Sequence, residues 1–327
     1  MQRAERRRAP LPEAGRIGKT LLQKFDITIA LIVEIIVFSL LSPYFLTSEN
    51  ILNVTLQTSM TAIIAVGMTF VILTAGIDLS VGALVALTGV VSSIVLKFEM
   101  PFALIFLLSL GSGLLVGAIS GGIAGIFITR FNITPFIVTL ALMTIWRGAA
   151  FLVTDGRPVW GLPEQFSFLG AGRFLAIPFS TIVMIVVYVT AYIVLNYTAF
   201  GRHVYAVGGN REAARLAGID TQKIILIVYI LCGACASLSG ILLASRMNSG
   251  QPNAGVMYEL DVIAAVVVGG TSLFGGRGTI VGTFVGAMLI GVLRNGLNLM
   301  NVSSYLQMIV VGFVILLAVL IDQRKRA

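Results

Sequence analysis

Ten mostly apolar stretches, each close to the length of a bilayer crossing, follow one another along this chain with little between them. They run at about 25–45, 51–74, 79–97, 101–129, 135–153, 178–198, 222–245, 258–274, 279–299 and 303–321. A helix rising 1.5 Å per residue needs about 20 apolar residues to cross the hydrocarbon. Inside lipid no water is available to satisfy backbone N–H and C=O groups, so a spanning segment of this kind must be a helix. The expected fold class is therefore an all-α membrane protein of about ten transmembrane helices. Composition agrees: 57% of residues are hydrophobic and 11% charged, against roughly 25% charged in soluble domains. The expected organisation is a basic segment at 1–24, one polytopic transmembrane domain at 25–322 and a basic tail at 323–327.

The net charge of +8 does not call for nucleic acid. Basic residues gather at segment ends, as the positive-inside rule requires. Arg3, Arg6, Arg7, Arg8, Arg16, Lys19 and Lys24 precede the first stretch; Arg324, Lys325 and Arg326 follow the last. Ten crossings put both termini on one side, expected to be the cytoplasm. Arg130, Arg202, Arg211, Arg215, Lys223 and Arg277 fall on that side too; Lys97, Arg157, Arg173 and Arg246 fall outside. The first stretch ends in LSPYFLTSEN without a small-x-small cleavage site, so it reads as a retained span. AGRIGKT at 14–20 lacks a phosphate loop's first glycine, because Glu13 stands there. Cys232, Cys235 and the single histidine, His203, make no zinc set. No nucleophile–base pair or metal cluster is apparent, so no enzyme activity and no cofactor are expected.

Residues 201–220, GRHVYAVGGNREAARLAGID, form a polar island between two apolar stretches. Asn210 is a good N-cap. Glu212 sits in the first turn, where the helix dipole favours an acid. Arg211, Glu212, Ala213, Ala214, Arg215, Leu216 and Ala217 carry a helix of about two turns, and Gly218 stops it before Ile219. Such a helix buries little by itself. It is either a solvated connector on the bilayer surface or a docking knob for a second protein.

Glycines recur every four residues at Gly113, Gly117, Gly121 and Gly125, and at Gly278, Gly282 and Gly286. Small residues let helix backbones approach closely in lipid, so both ladders read as packing seams. The long stretch 101–129 is either one tilted span or a span plus a re-entrant piece. Two further stretches, 73–89 and 266–286, join neighbouring segments through short glycine-rich turns and resemble one another weakly. Interrupted segments in both halves of a chain point to a transport path; plain turns at the inner interface are the other reading. The candidate path residues are Asp78 and Ser80 in the first, Gly269, Gly270, Thr271 and Ser272 in the second, and Asn295 and Asn298 in the ninth stretch. Glu34, Arg147 and Arg294 are charges within apolar stretches, and Glu259 and Asp261 open the eighth. Charges at such depth pair with one another, reach headgroups or face a watery cavity; for Glu34 an arginine partner and a cavity both remain open. The connection 154–177, with Arg157, Pro158, Trp160 and Pro163, is expected to be an ordered loop at the outer interface.

GMTFVILTAGIDLSVGALVALTG, FGRHVYAVGGNREAARLAGI, the long run from ASLSGILLASRMNSGQPNAGVMYELDVIAAVVVGGTSLFGGRGTIVGTFVG onward and VSSYLQMIVVGFVILLAVL resemble the permease subunits of bacterial monosaccharide ABC importers, the ribose permeases most of all. The resemblance runs from about Asp26 to Arg324. It implies a multi-pass protein of the bacterial inner membrane that imports ribose or a similar sugar. It implies a second permease subunit, two cytoplasmic ATP-binding subunits or one fused ATPase, and a periplasmic sugar-binding protein. It also implies that Asn210, Glu212, Ala213, Ala214, Arg215, Leu216, Gly218 and Ile219 are the coupling helix that docks on the ATPase. Two alternatives stand beside it. One is an ion-coupled secondary sugar transporter with Glu34 as proton site. The other is a permease for another small polar solute such as a branched-chain amino acid.

Overall fold

The computed structural model describes the backbone of residues 13–324 and the side chains of 27–320. The basic residues Arg3, Arg6, Arg7, Arg8, Lys325 and Arg326 lie outside the described residues. Helices cover all ten apolar stretches: α1 (Glu13–Leu41), α2 (Ser48–Leu73), α3 (Val81–Val95), α4 (Phe102–Arg130), α5 (Pro135–Thr154), α7 (Phe179–Tyr197), α10 (Thr221–Met247), α11 (Tyr258–Val268), α12 (Ile280–Leu299) and α13 (Ser304–Arg324). Between them lie α6 (Phe168–Ala171), α8 (Ala199–Gly209) and α9 (Arg211–Leu216). The stretch 14–20 is continuous helix within α1, which leaves no loop to cradle a phosphate. Six of the helices, α2, α4, α5, α7, α10 and α12, are long and apolar enough to cross a membrane, and shorter apolar helices join them. The chain is a multi-pass, all-α membrane protein.

α2 and α10 form the centre. α2 is apolar and buried on every side over 58–73, as expected of a helix enclosed by other helices. α4 is one uninterrupted helix, which decides against a re-entrant piece. Its glycine ladder lies chiefly on α10. A Cβ at Gly117 would strike Ser237 and the Gly233 carbonyl, and one at Gly121 would strike the Tyr229 carbonyl. The second ladder seats α12 on α11, with Gly282 against Gly269 and Gly286 against the Ala265 carbonyl. Both ladders are seams in which backbone meets backbone.

The connection 154–178 is ordered. A 3-10 turn (Glu164–Ser167), α6 and a two-residue hairpin, β1 (Arg173–Phe174) with β2 (Ile177–Pro178), fold over one end of α10. Phe166 is fully buried, and Ser245 of α10 donates to its carbonyl at 2.5 Å. The Ser245 hydroxyl also accepts from the Gly170 N–H at 2.8 Å.

Two helices are shorter than the sequence suggests. α3 has 15 residues and α11 has 11, about 22 Å and 16 Å of helix at 1.5 Å per residue. Neither alone matches the ~30 Å hydrocarbon core. The glycine-rich turns account for the difference, because residues 74–80 and 269–279 are unwound.

Candidate functional site: the chain breaks and the α9 knob

The two unwound breaks meet. The Gly276 N–H donates to the Leu73 carbonyl at 2.9 Å. Gly275 lies against Ala75, its φ of +84° being a conformation L side chains avoid. One helical turn into α2 and into α12, Thr69 and Thr283 share a 2.7 Å hydroxyl contact.

The first break leads away from this meeting point to a buried carboxylate. Asp78 is 1% exposed, and its Oδ1 accepts from the Ser80 N–H at 2.9 Å and the Ser80 hydroxyl at 2.6 Å. Tyr229 of α10 donates to the Ile77 carbonyl at 3.4 Å. Asp78 and Ser80 thus hold the entry to α3. In the second break Thr271 and Ser272 are buried, and the Ser272 N–H donates to the Arg277 carbonyl at 2.8 Å.

A third irregular segment, 248–257, joins α10 to α11. It runs back along α3: Gly250 lies against Val90 and Ser93, whereas Gly255 lies against Gly82 and Val85. The starts of α3 and α11 are therefore side by side, and the Glu259 carboxylate rests against Gly82. Arg147 of α5 clamps the segment, donating to the Pro252 carbonyl at 3.0 Å and the Ala254 carbonyl at 2.6 Å. Neither helix start has a side-chain cap. Two half-length helices that begin together and run to opposite ends form an arrangement that brings N-terminal amides and irregular backbone to one place. The positive φ of Gly255 and Met257 is the feature of this segment that sequence did not disclose.

Asn295 and Asn298 do not join this region. Asn50 and Asn295 exchange two amide hydrogen bonds of 2.9 Å, and both are buried. Asn298 accepts from Gln307 at 2.8 Å. They tie α12 to α2 and α13 at the end remote from the breaks. Arg294 pairs with Asp261 at 2.6 Å. Glu34 has no arginine partner among the described residues, and its Oε2 is buried without a hydrogen bond.

The polar island holds two helices rather than one. α8 begins at the N-cap Thr198, whose hydroxyl accepts from the Gly201 N–H at 3.2 Å. Val204 and Val207 bury its inner face, a spacing of three that a search for helical period detects. Asn210 ends α8 and starts α9: its N–H donates to Ala206 O at 3.1 Å and its Oδ1 accepts from the Ala213 N–H at 2.9 Å. α9 is six residues long, close to the helix of about two turns expected, with Ala217 as its C-cap. Gly218, at φ +85°, lets the chain leave it, and Asp220 caps α10 by accepting from the Lys223 N–H. Ala214 is 4% exposed and packs toward the body, whereas Leu216 is 77% exposed. Arg215 and Glu212 pair at 2.6 Å on the outside, and the guanidinium holds the Glu212 carboxyl below its usual range. A cavity of about 360 Å³ lies beneath the knob, lined by Thr74, Asn132, Asn210 and Tyr229 among others.

The sequence matches the family described as branched-chain amino acid transport system / permease component over residues 50–319. The chain belongs to that permease family. It is 49% identical to the ribose import permease protein RbsC of Escherichia coli K12, over 91% of this chain and 93% of that one. It is 47% identical to the RbsC of Bacillus subtilis 168, over 94% of each. The D-allose transport system permease protein AlsC of E. coli K12 is 37% identical over 92% of this chain and 91% of its own. No solved structure matches the chain. This permease is a transport component of an ABC importer, not an enzyme.

Proposed function

We propose that the permease carries ribose or a similar monosaccharide across the bacterial inner membrane. ATP hydrolysis on a separate subunit drives it, and a periplasmic binding protein delivers the sugar. The observation that carries the sugar reading is 49% identity to a ribose import permease along almost the whole chain. The family description names branched-chain amino acids, while the D-allose, L-arabinose and ribose permeases all resemble this chain at 37% identity or better. A sugar is therefore the better-supported cargo. Residues 25–322 are the single transmembrane domain, flanked by basic cytoplasmic ends. Ten crossings place both termini, the two breaks and α9 on the cytoplasmic side. The importer has two permease subunits, this chain pairing with a second copy.

The knob α9 docks on the ATP-binding subunit. Supporting this are its double cap, its buried Ala214 and its exposed Leu216, an apolar side chain presented beside the Glu212–Arg215 pair. Affinity and most selectivity belong to the periplasmic protein, and the permease provides a passage that opens to one side and then the other.

The test is reconstitution of the permease with its ATP-binding subunit and binding protein in vesicles, with uptake and ATP hydrolysis measured across pentoses and hexoses. Concentrative uptake by the permease alone would remove the ABC reading, and stimulation by leucine rather than any sugar would remove the cargo. For the knob, Leu216→Asp is expected to lower co-purification of the ATP-binding subunit at least tenfold, since buried interface anchors carry ~2 kcal/mol or more. Its melting temperature should stay that of the parent, because Leu216 touches little of its own chain. Undiminished co-purification would place docking elsewhere.

A further inference from the structure

We propose that Gly208 is the positioning residue that links α9 to both chain breaks, through a joint of three backbone segments. The inference rests on the reading of α9 as a docking knob and adds how motion of the knob reaches the passage.

Gly208 stands two residues before the N-cap of α9, in the last turn of α8. A Cβ there would overlap the Leu73 carbonyl and come within 2.7 Å of the Gly276 nitrogen. Those two atoms are partners of the hydrogen bond that joins the breaks. Gly275 packs on the Gly208 carbonyl at 2.8 Å from its ideal Cβ position, and Gly276 on the Gly209 backbone at 2.9 Å. Tyr205, one turn earlier in α8, donates to the Gly278 carbonyl at 2.8 Å. α8 therefore touches the end of α2 and the lead into α12 at one place.

The contact is backbone on backbone. A side-chain contact can absorb a small displacement by changing rotamer, but this one has no rotamer to change. α8 and α9 share Asn210, which closes the last turn of one and the first of the other, so they move as a bent lever. A shift of α9 must then move Leu73 and Gly276 together or break their contact. From Leu73 the chain leads to Asp78 and the start of α3; from Gly276 it leads to α12 and its seam with α11. Both half-length helices are thus within reach of one lever.

Gly209 supplies an internal control, because a Cβ there meets nothing within 4 Å. Gly208→Ala and Gly209→Ala change the same residue type in the same helical turn, and differ in whether the joint must open. Allosteric coupling of ordinary size corresponds to about 5–150-fold. In the complex of permease, ATP-binding subunit and sugar-loaded binding protein, Gly208→Ala is expected to lower stimulation of ATP hydrolysis fivefold or more while the ATP-binding subunit still co-purifies. Gly209→Ala is expected to match the parent. Tyr205→Phe, which removes one hydrogen bond and adds no bulk, should lower stimulation about twofold to threefold, the effect of a neutral hydrogen bond at the low end of its range.

Full stimulation in Gly208→Ala overturns the joint, as does equal loss in both glycine variants. Should Gly208→Ala not reach the membrane, Tyr205→Phe decides, and full stimulation there overturns the joint. If the parent complex itself shows no stimulation, the docking reading fails. A stimulated parent with an unaffected Gly208→Ala removes the joint alone.

Discussion

Gly121→Leu is expected to cut the yield of folded, monodisperse permease below about a tenth of the parent. Gly121 sits where α4 crosses α10, and its Cβ would strike the Tyr229 carbonyl and lie 2.8 Å from Ile230 Cα. Those atoms belong to the backbone of a 27-residue helix and cannot step aside as a side chain would. Overpacking a core ordinarily costs about 1–3 kcal/mol when side chains absorb it. Here the helices must separate, and the close contacts along the whole seam are lost with them. Gly111 of the same helix is the control, because a Cβ there meets nothing within 4 Å. Gly111→Leu should be recovered at the parent's level by size-exclusion chromatography in detergent. Equal yields for the two variants would show that the seam is not the close packing described.

Arg294→Ala is expected to lower the melting temperature in detergent by ~10 °C. The Asp261 side chain is 6% exposed, and Arg294 is its ion-pair partner at 2.6 Å. The Arg294 side chain is 34% exposed, so its removal costs the lower end of the about 3–5 kcal/mol of a fully buried pair, because the Asp261 charge is left buried and unpaired. For a chain of this size each kcal/mol moves the midpoint by roughly 2–4 °C. Asp261→Asn combined with Arg294→Gln removes both charges and should recover most of the loss. A double variant as unstable as Arg294→Ala would mean that packing, not charge, holds this contact. The pair also marks where α11 begins. It fixes a half-length helix to α12 at the end away from the Gly269–Gly282 seam.

The fold is most legible in the sequence where the pattern is local. The apolar stretches marked ten helices to within a few residues at most ends, since burial in lipid leaves a chain few options. Asn210, Gly218 and the acid at 212 announced α9, because caps are made by residues adjacent in sequence. The ladder 113–125 announced a seam, since small residues four apart share a face.

The fold is least legible where distant segments meet. Asn295 and Asn298 are polar and lie in an apolar stretch, and their partners Asn50 and Gln307 lie on other helices. Ala214 and Leu216 are both apolar members of one short helix, and which of them faces out depends on where α9 rests. The segment 248–257 carries no helical period, and its return along α3 depends on Arg147, a hundred residues earlier.

By itself, then, the sequence determined the class of protein, its helices and the position of the knob, all of which follow from hydropathy and capping between near neighbours. The tertiary structure alone decided that the two breaks touch, that half-length α3 and α11 begin side by side, and that Gly208 stands against both breaks. Those facts rest on contacts between residues 68 to 203 positions apart, from Gly208–Gly276 to Leu73–Gly276. Glycine makes such contacts possible by lacking a side chain, and for the same reason leaves no sign in the sequence of what it touches.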